Sequence, residues 1–284
     1  MSRHELIRSN LEVIERQLHD ALLSIGRSVN SPPRLVCVSK LKPDSDIKAA
    51  YDCGYRYFGE NYIQELVEKS KKLPGDIQWR FIGTLQSNKC EMLAAIPNLN
   101  AVETLCSIKQ ADLLSKHLPE SRTSPLDVYL QINTSNESSK GGLQPIPART
   151  SSTPANGSDN IASFLDPESP LVTVARHIRT LSNLQLKGLM TIGSIEQSLS
   201  SNTVENSDFS KLVWTRDALE KYFENSGFPL PNRLELSMGM SADYIAAIKS
   251  GSDNIRVGSS IFGERMNKDE AKNNRVAAQQ QQLT

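Results

Sequence analysis

Apolar residues at Leu6, Leu11, Ile14, Leu18, Leu22 and Ile25 recur at a spacing that puts them on one face of a long helix. Ser2 and Glu5 stand at capping-box spacing ahead of it, and Gly26 with the pair Pro32 and Pro33 ends it. From there the pattern changes to short apolar runs separated by amphipathic stretches. Leu35 to Val38 is a continuous, largely β-branched run that reads as a strand buried on both faces, as in a parallel sheet. Pro43, Asp44 and Asp46 then open a helix over residues 44–53, stopped by Gly54. Further strands are predicted at 55–58, 79–82, 100–102, 127–133, 185–190, 233–236 and 254–257, with helices at 107–118, 168–182 and 208–226 among the connections. Eight alternations of strand and helix behind one extra N-terminal helix predict an α/β fold, a (β/α)8 TIM-like barrel.

Two stretches interrupt the alternation. Residues 144–166 are dominated by Pro, Ser, Thr, Asn and Gly with no visible period, and are expected to form an exposed, disordered loop insertion. Residues 197–207 form a second polar stretch. The reading is therefore a single domain over 1–266 followed by a polar, Gln-rich tail at 267–284.

Composition narrows the partners. Lys and Arg together number 32, matching 32 Asp and Glu, so the formal net charge is zero and gives no electrostatic case for nucleic acid or an anionic membrane. No apolar run approaches membrane-spanning length, and the charged N-terminus lacks the apolar core of a secretory signal. Cys37, Cys53, Cys90 and Cys106 form no CxxC pair and lie apart from the four histidines, which argues against a zinc site and suits reduced thiols. Cytoplasm is the expected location, with a mitochondrial pool left open.

The chemistry lies at the ends of strands. Lys40 stands where the first strand runs out and a helix is about to begin, the end at which α/β barrels place their sites. A desolvated lysine amine loses its proton more readily and can then attack an aldehyde. By position alone the favoured reading of Lys40 is one of 32 basic residues, solvating a strand end. After strand eight, Gly258, Ser259 and Ser260 precede a helix, where close-approaching backbone and outward amides favour an anion. The turn Ser237-Met238-Gly239-Met240-Ser241 brings Ser237, Met238 and Ser241 to the neighbouring junction, with hydroxyls as donors and Ser241 as a helix N-cap. Arg256, two residues before Gly258, points by alternation into the barrel, where it needs a partner or forms a structural salt bridge. Asn61 by itself reads as the cap of the helix beginning after it. A strand-end amine facing phosphate-type junctions suits a ligand carrying both an aldehyde and a phosphate.

Residues 34–61, with FIGTLQSNK at 81–89, LKGLMTIG at 186–193 and 235–265, resemble the pyridoxal phosphate homeostasis protein family, single-domain relatives of the alanine racemase barrel. The resemblance runs through most of residues 2–266 and fails locally at the long 144–166 loop. It implies a fold-type-III pyridoxal-phosphate barrel without the C-terminal β-domain. It further implies a non-catalytic protein that holds pyridoxal 5′-phosphate as an imine on Lys40 and buffers or delivers the vitamin B6 cofactor, with apo-enzymes that require it as recipients. Asn61, in FGEN, would line the pocket; Ser237, Ser241, Gly258 and Ser259 would hold the phosphate, with Met238 among the cofactor-binding residues; Arg256 would face the pyridine nitrogen. Lys140, in a loop similar to one that carries a lysine in the family, holds the ligand transiently or is an ordinary loop residue, the latter favoured. The rival functions are an amino-acid racemase, which would need a second acid/base from a β-domain this chain lacks, and a Schiff-base aldolase. A monomer is expected.

Overall fold

The computed structural model describes residues 1–147, 165–200 and 206–264, and ten α-helices and eight strands fall within them. The expected insertion at 144–166 therefore lies largely outside the described residues, as does the tail at 267–284. Its anchors are within: Ile146 and Leu165 are both buried in the core, and the Ile146 amide donates to Thr215 Oγ1. Among the described residues no helix is long and apolar enough to cross a membrane.

The eight strands are β1 (Arg34–Val38), β2 (Tyr57–Glu60), β3 (Gln78–Phe81), β4 (Leu99–Leu105), β5 (Leu126–Gln131), β6 (Leu184–Met190), β7 (Glu235–Ser237) and β8 (Asn254–Val257). They pair in sequence order, all parallel, and β8 closes on β1 with Val36 opposite Arg256 and Cys37 opposite Val257. Outward side chains such as Phe58, Trp79, Phe81 and Leu236 are fully or almost fully buried under the helical ring. Each such side chain contributes roughly 1.5–3 kcal/mol of transfer free energy.

The N-terminal helix α1 (Arg3–Ser24) carries the expected capping box of Ser2 and Glu5, and buries Ile7, Leu11, Ile14 and Leu22. Around the barrel follow α2 (Asp44–Asp52), α3 (Ile63–Lys72), α4 (Cys90–Ala94), α5 (Ile108–His117), α6 (Pro170–Ile178), α7 (Ile195–Ser200), α8 (Ser207–Asn225), α9 (Tyr244–Lys249) and α10 (Ser259–Phe262). Part of the polar stretch at 197–207 thus lies in α7.

Four local expectations are corrected. The second strand starts at Tyr57, because Tyr55 closes the α2 exit turn by donating to Ala50 O behind Gly54 at φ +98°. The seventh starts at Glu235, because the Leu234 amide is taken by the Glu220 side chain instead of a neighbouring strand. Asn61 does not cap α3; Tyr62 occupies the cap position, with no side-chain cap bond. Ser241 does not cap α9; Asp243 holds that place, folding back to accept the Met240 amide.

Candidate functional site

The C-terminal ends of the strands form a mouth with a cavity of about 260 Å³, whose lining includes Val38, Lys40, Met240, Ser241, Arg256 and Gly258. That volume sits just below the roughly 300–1,000 Å³ of drug-sized pockets and suits one small ligand. Two larger hollows exist, about 720 Å³ under the base and about 390 Å³ between α1 and α9. Neither brings an amine, a buried guanidinium and main-chain donors together, so the chemistry points to the mouth.

Lys40 stands two residues past the end of β1 and is half-buried on the cavity wall. Two residues on, Lys42 also lines the cavity, and its ammonium donates to the carbonyls of Phe262 (3.0 Å), Gly263 (3.1 Å) and Glu264 (2.7 Å) at the end of α10. Helix α1 holds the same turn: Arg3 donates to Phe262 O at 2.7 Å and Asn10 to Ile261 O at 2.9 Å. The extra N-terminal helix is thus fastened to the short helix at the mouth.

Gly258 is the N-cap of that helix, and a Cβ there would stand 3.2 Å from Val38 O and 3.3 Å from Val38 Cβ, a tight contact that glycine avoids where β8 lies against β1. Instead of capping α9, Ser241 Oγ accepts the amides of Gly258 (3.2 Å) and Ser260 (3.5 Å). It marks the spot where an anion's oxygen would be received. Ser259 is exposed beside it on the lining.

Arg256 is buried and donates from Nη1 to Ser237 Oγ at 2.8 Å and from Nη2 to Thr191 O at 2.7 Å. Burial lowers its pKa, partly offset by the Glu103 carboxylate. Ser237 in turn donates to Glu103, whose other oxygen accepts from Arg80. Burial would raise the Glu103 pKa, but the charges of Arg80 and Arg256 outweigh it and hold the carboxylate ionised. The structure thus answers the salt-bridge alternative for Arg256 with a relay: arginine, serine, glutamate, arginine across the barrel interior.

The structure therefore brings Lys40, Ser241, Arg256, Gly258 and Ser259 together and leaves three sequence candidates off the lining. Ser237 faces inward, fully buried beneath Arg256, so its hydroxyl orients the guanidinium and does not reach the mouth. Met238 is fully buried in the outer core, because strand alternation turns it opposite to Ser237; the methionine on the lining is Met240. Asn61 is half-buried behind Gly83, where a Cβ would come within 2.0 Å of Asn61 O. Its Oδ1 is buried with no hydrogen-bond partner among the described residues. An orphaned buried acceptor next to a ligand mouth fits a donor that arrives with a ligand or water. Lys140 is an ordinary loop lysine here, bonded to Glu137 Oε1 at 2.6 Å and Gly193 O at 3.0 Å. Sequence reasoning missed Glu103, Arg80 and Lys42, and among the described residues no His/Cys/Asp/Glu cluster suits a metal.

A family model described as the alanine racemase N-terminal domain matches residues 165–266. The pyridoxal phosphate homeostasis protein of Schizosaccharomyces pombe is 41% identical over 259 residues, covering 91% of this chain and 93% of its own. Among solved structures, PipY of Synechococcus elongatus with pyridoxal phosphate bound superposes with a TM-score of 0.62 at 26% identity, covering 90% of this chain and all of PipY. An alanine racemase of Clostridium difficile shares the fold at 14% identity and a TM-score of 0.61, with 93% of this chain matching 58% of that enzyme. The barrel is shared with both solved structures, and the identity to the first relative is high over nearly the whole length of both chains; the chain belongs to the pyridoxal phosphate homeostasis protein family.

Proposed function

We propose that this protein binds pyridoxal 5′-phosphate at the barrel mouth as cargo, holding it in reserve and releasing it, without turning over a substrate. One observation carries the reading: Lys40, Arg256 and the Gly258–Ser259 junction line a single small cavity. The Lys40 amine would add to the ligand's aldehyde carbon and form a C=N bond as water leaves, reversibly. Gly258, Ser259 and Ser241 would receive the phosphate, and Arg256 would meet the ring nitrogen. A guanidinium, charged at any ordinary pH, cannot protonate that nitrogen, which blunts the ring as an electron sink.

The case for carriage over turnover rests on the other titratable groups of the lining. Lys42 is committed to three carbonyls and Arg256 is a poor proton donor, so neither offers the second acid/base a racemase needs. We place the protein in the cytoplasm as a monomer, supplying apo-enzymes that require the cofactor. The test is spectroscopic. Purified protein mixed with pyridoxal 5′-phosphate should gain an imine absorbance band, and borohydride should fix the label on the peptide containing Lys40. Lys40→Ala should lose both. Interconversion of L- and D-alanine by the wild type, abolished by Lys40→Ala, would instead establish the racemase reading.

A further inference from the structure

Lys40 emerges from the barrel at a point where ordinary strand pairing gives out. Ser39 makes the last ladder bond, its amide donating to Gly59 O at 3.0 Å. Beyond it the chain turns, the Lys42 amide donating to Ser39 O at 3.0 Å, and side chains of α3 bond the Ser39 carbonyl and the Leu41 amide on either side of Lys40. Lys69 Nζ donates to Ser39 O at 2.8 Å, and Glu65 Oε1 accepts the Leu41 amide at 2.8 Å. Lys69 also bonds Glu60 Oε1 (2.7 Å) and Glu65 Oε1 (2.6 Å), while the Ser39 hydroxyl donates to Glu60 at 2.6 Å. The three charged residues are 0% (Glu60), 4% (Lys69) and 8% (Glu65) exposed. Glu60 and Glu65 share one ammonium, so burial first and the neighbouring carboxylate next push the Glu60 pKa up.

Such a cluster is a poor way to stabilise a fold, since each buried ion costs several kcal/mol of desolvation that an apolar filling would avoid. What it supplies is position. Leu41 has φ +61°, a left-handed conformation that a non-glycine residue holds only when its surroundings enforce it. Here the turn bond from the Lys42 amide to Ser39 O and the Glu65 carboxylate on the Leu41 amide hold it together. None of Glu60, Glu65 or Lys69 lines the mouth, so they reach a ligand only through the backbone of residues 39–41.

We propose that the Glu60–Glu65–Lys69 cluster is the positioning device for Lys40, gripping the peptide on either side of it so that its amine is presented to a carbonyl in the mouth at a fixed distance. The inference rests on the ligand reading above and assigns Glu65 and Lys69 as positioning residues for covalent capture.

The test separates capture from simple binding. Glu65→Leu and Lys69→Met should slow formation of the imine band with pyridoxal 5′-phosphate by at least about tenfold, as expected for a reacting group displaced by a fraction of an ångström to one ångström. Pyridoxine 5′-phosphate, with an alcohol in place of the aldehyde, should still bind within about twofold of wild type by calorimetry, since it never engages the amine. Glu65→Gln keeps an acceptor for Leu41 and serves as the milder variant where the others fail to fold. In it, hydrogen exchange at the Leu41 amide should speed up while β1 amides stay protected, and capture should slow in parallel. Variants that fold and capture the aldehyde as fast as wild type would overturn the inference alone. Equal loss for both ligands would overturn it too, by showing a general structural role. Wild-type protein that takes no borohydride label at Lys40 would overturn the ligand reading, and this inference with it.

Discussion

The two ends of the barrel interior are built from the same residue types and do different things with them. At the base, Glu235 accepts from Arg34 at 2.9 Å, Asn254 at 2.9 Å and Tyr129 at 2.5 Å, with Lys187 at 3.4 Å. Burial would lift the Glu235 pKa, but the hydrogen bonds from Tyr129 and Asn254 and the Arg34 charge bring it down to about 2. At the mouth, Asn61 keeps a buried oxygen without a partner, and Ser241 alone covers the amides of Gly258 and Ser260. At the base the Glu235 carboxylate is satisfied within the chain. The mouth retains capacity for a ligand's polar groups. Charge alone therefore does not mark a site in this barrel; the leftover hydrogen-bonding capacity beside the mouth is what separates it from the Glu235 cluster.

Breaking the base should strike stability and spare the ligand. Glu235→Ala is expected to cost about 2–3 kcal/mol, somewhat below the figure for a fully buried pair because Glu235 retains some exposure. Chemical denaturation would measure it, with imine formation at the mouth unchanged. The same residue sets an acid limit. Its folded pKa lies below the unfolded value, so its contribution is full above about pH 4.5 and fades as pH falls toward 2. Melting temperatures across that window should drop more steeply in wild type than in Glu235→Gln.

Loosening the relay in the middle should affect the mouth moderately. Glu103→Gln removes the charge that orients Ser237 and supports Arg256. Pyridoxal 5′-phosphate affinity should fall about fivefold to tenfold, comparable to one charge-assisted hydrogen bond. Equal affinity in this variant would reduce the relay to a core filler. The smallest effect is expected at the rim. Asn10→Ala removes one bond to Ile261 O and should weaken pyridoxal 5′-phosphate binding about threefold, within the roughly 0.5–1.5 kcal/mol of one such bond. Pyridoxal, which lacks the phosphate, should bind as before, since α10 would hold only the anionic end.

The parts of this arrangement that were legible in the sequence are local ones. An unbroken apolar run ending in Lys40, and a glycine followed by hydroxyls after the last strand, carry their meaning within a few residues. The relay was not legible, because Arg80, Glu103, Ser237 and Arg256 come from four strands and meet only when the sheet closes. Glu65 and Lys69 were missed for a different reason. At i,i+4 spacing they look like any solvated helix pair, and only burial against β1 shows otherwise. Ser237 and Met238 were misplaced because adjacent strand residues face opposite ways, and the turn at Gly239 hides the phase. Ser241 was misread as a cap because its actual partners lie on another junction, seventeen and nineteen residues later.

Arg3 and Asn10 reach Phe262 and Ile261 across 259 and 251 residues of chain. The mouth therefore cannot be completed by any partial barrel: its earliest helix must wait for nearly the last described turn to arrive. During synthesis, competence to take up a ligand would switch on late and all at once, and a chain cut short before Ile261 would emerge unable to hold one.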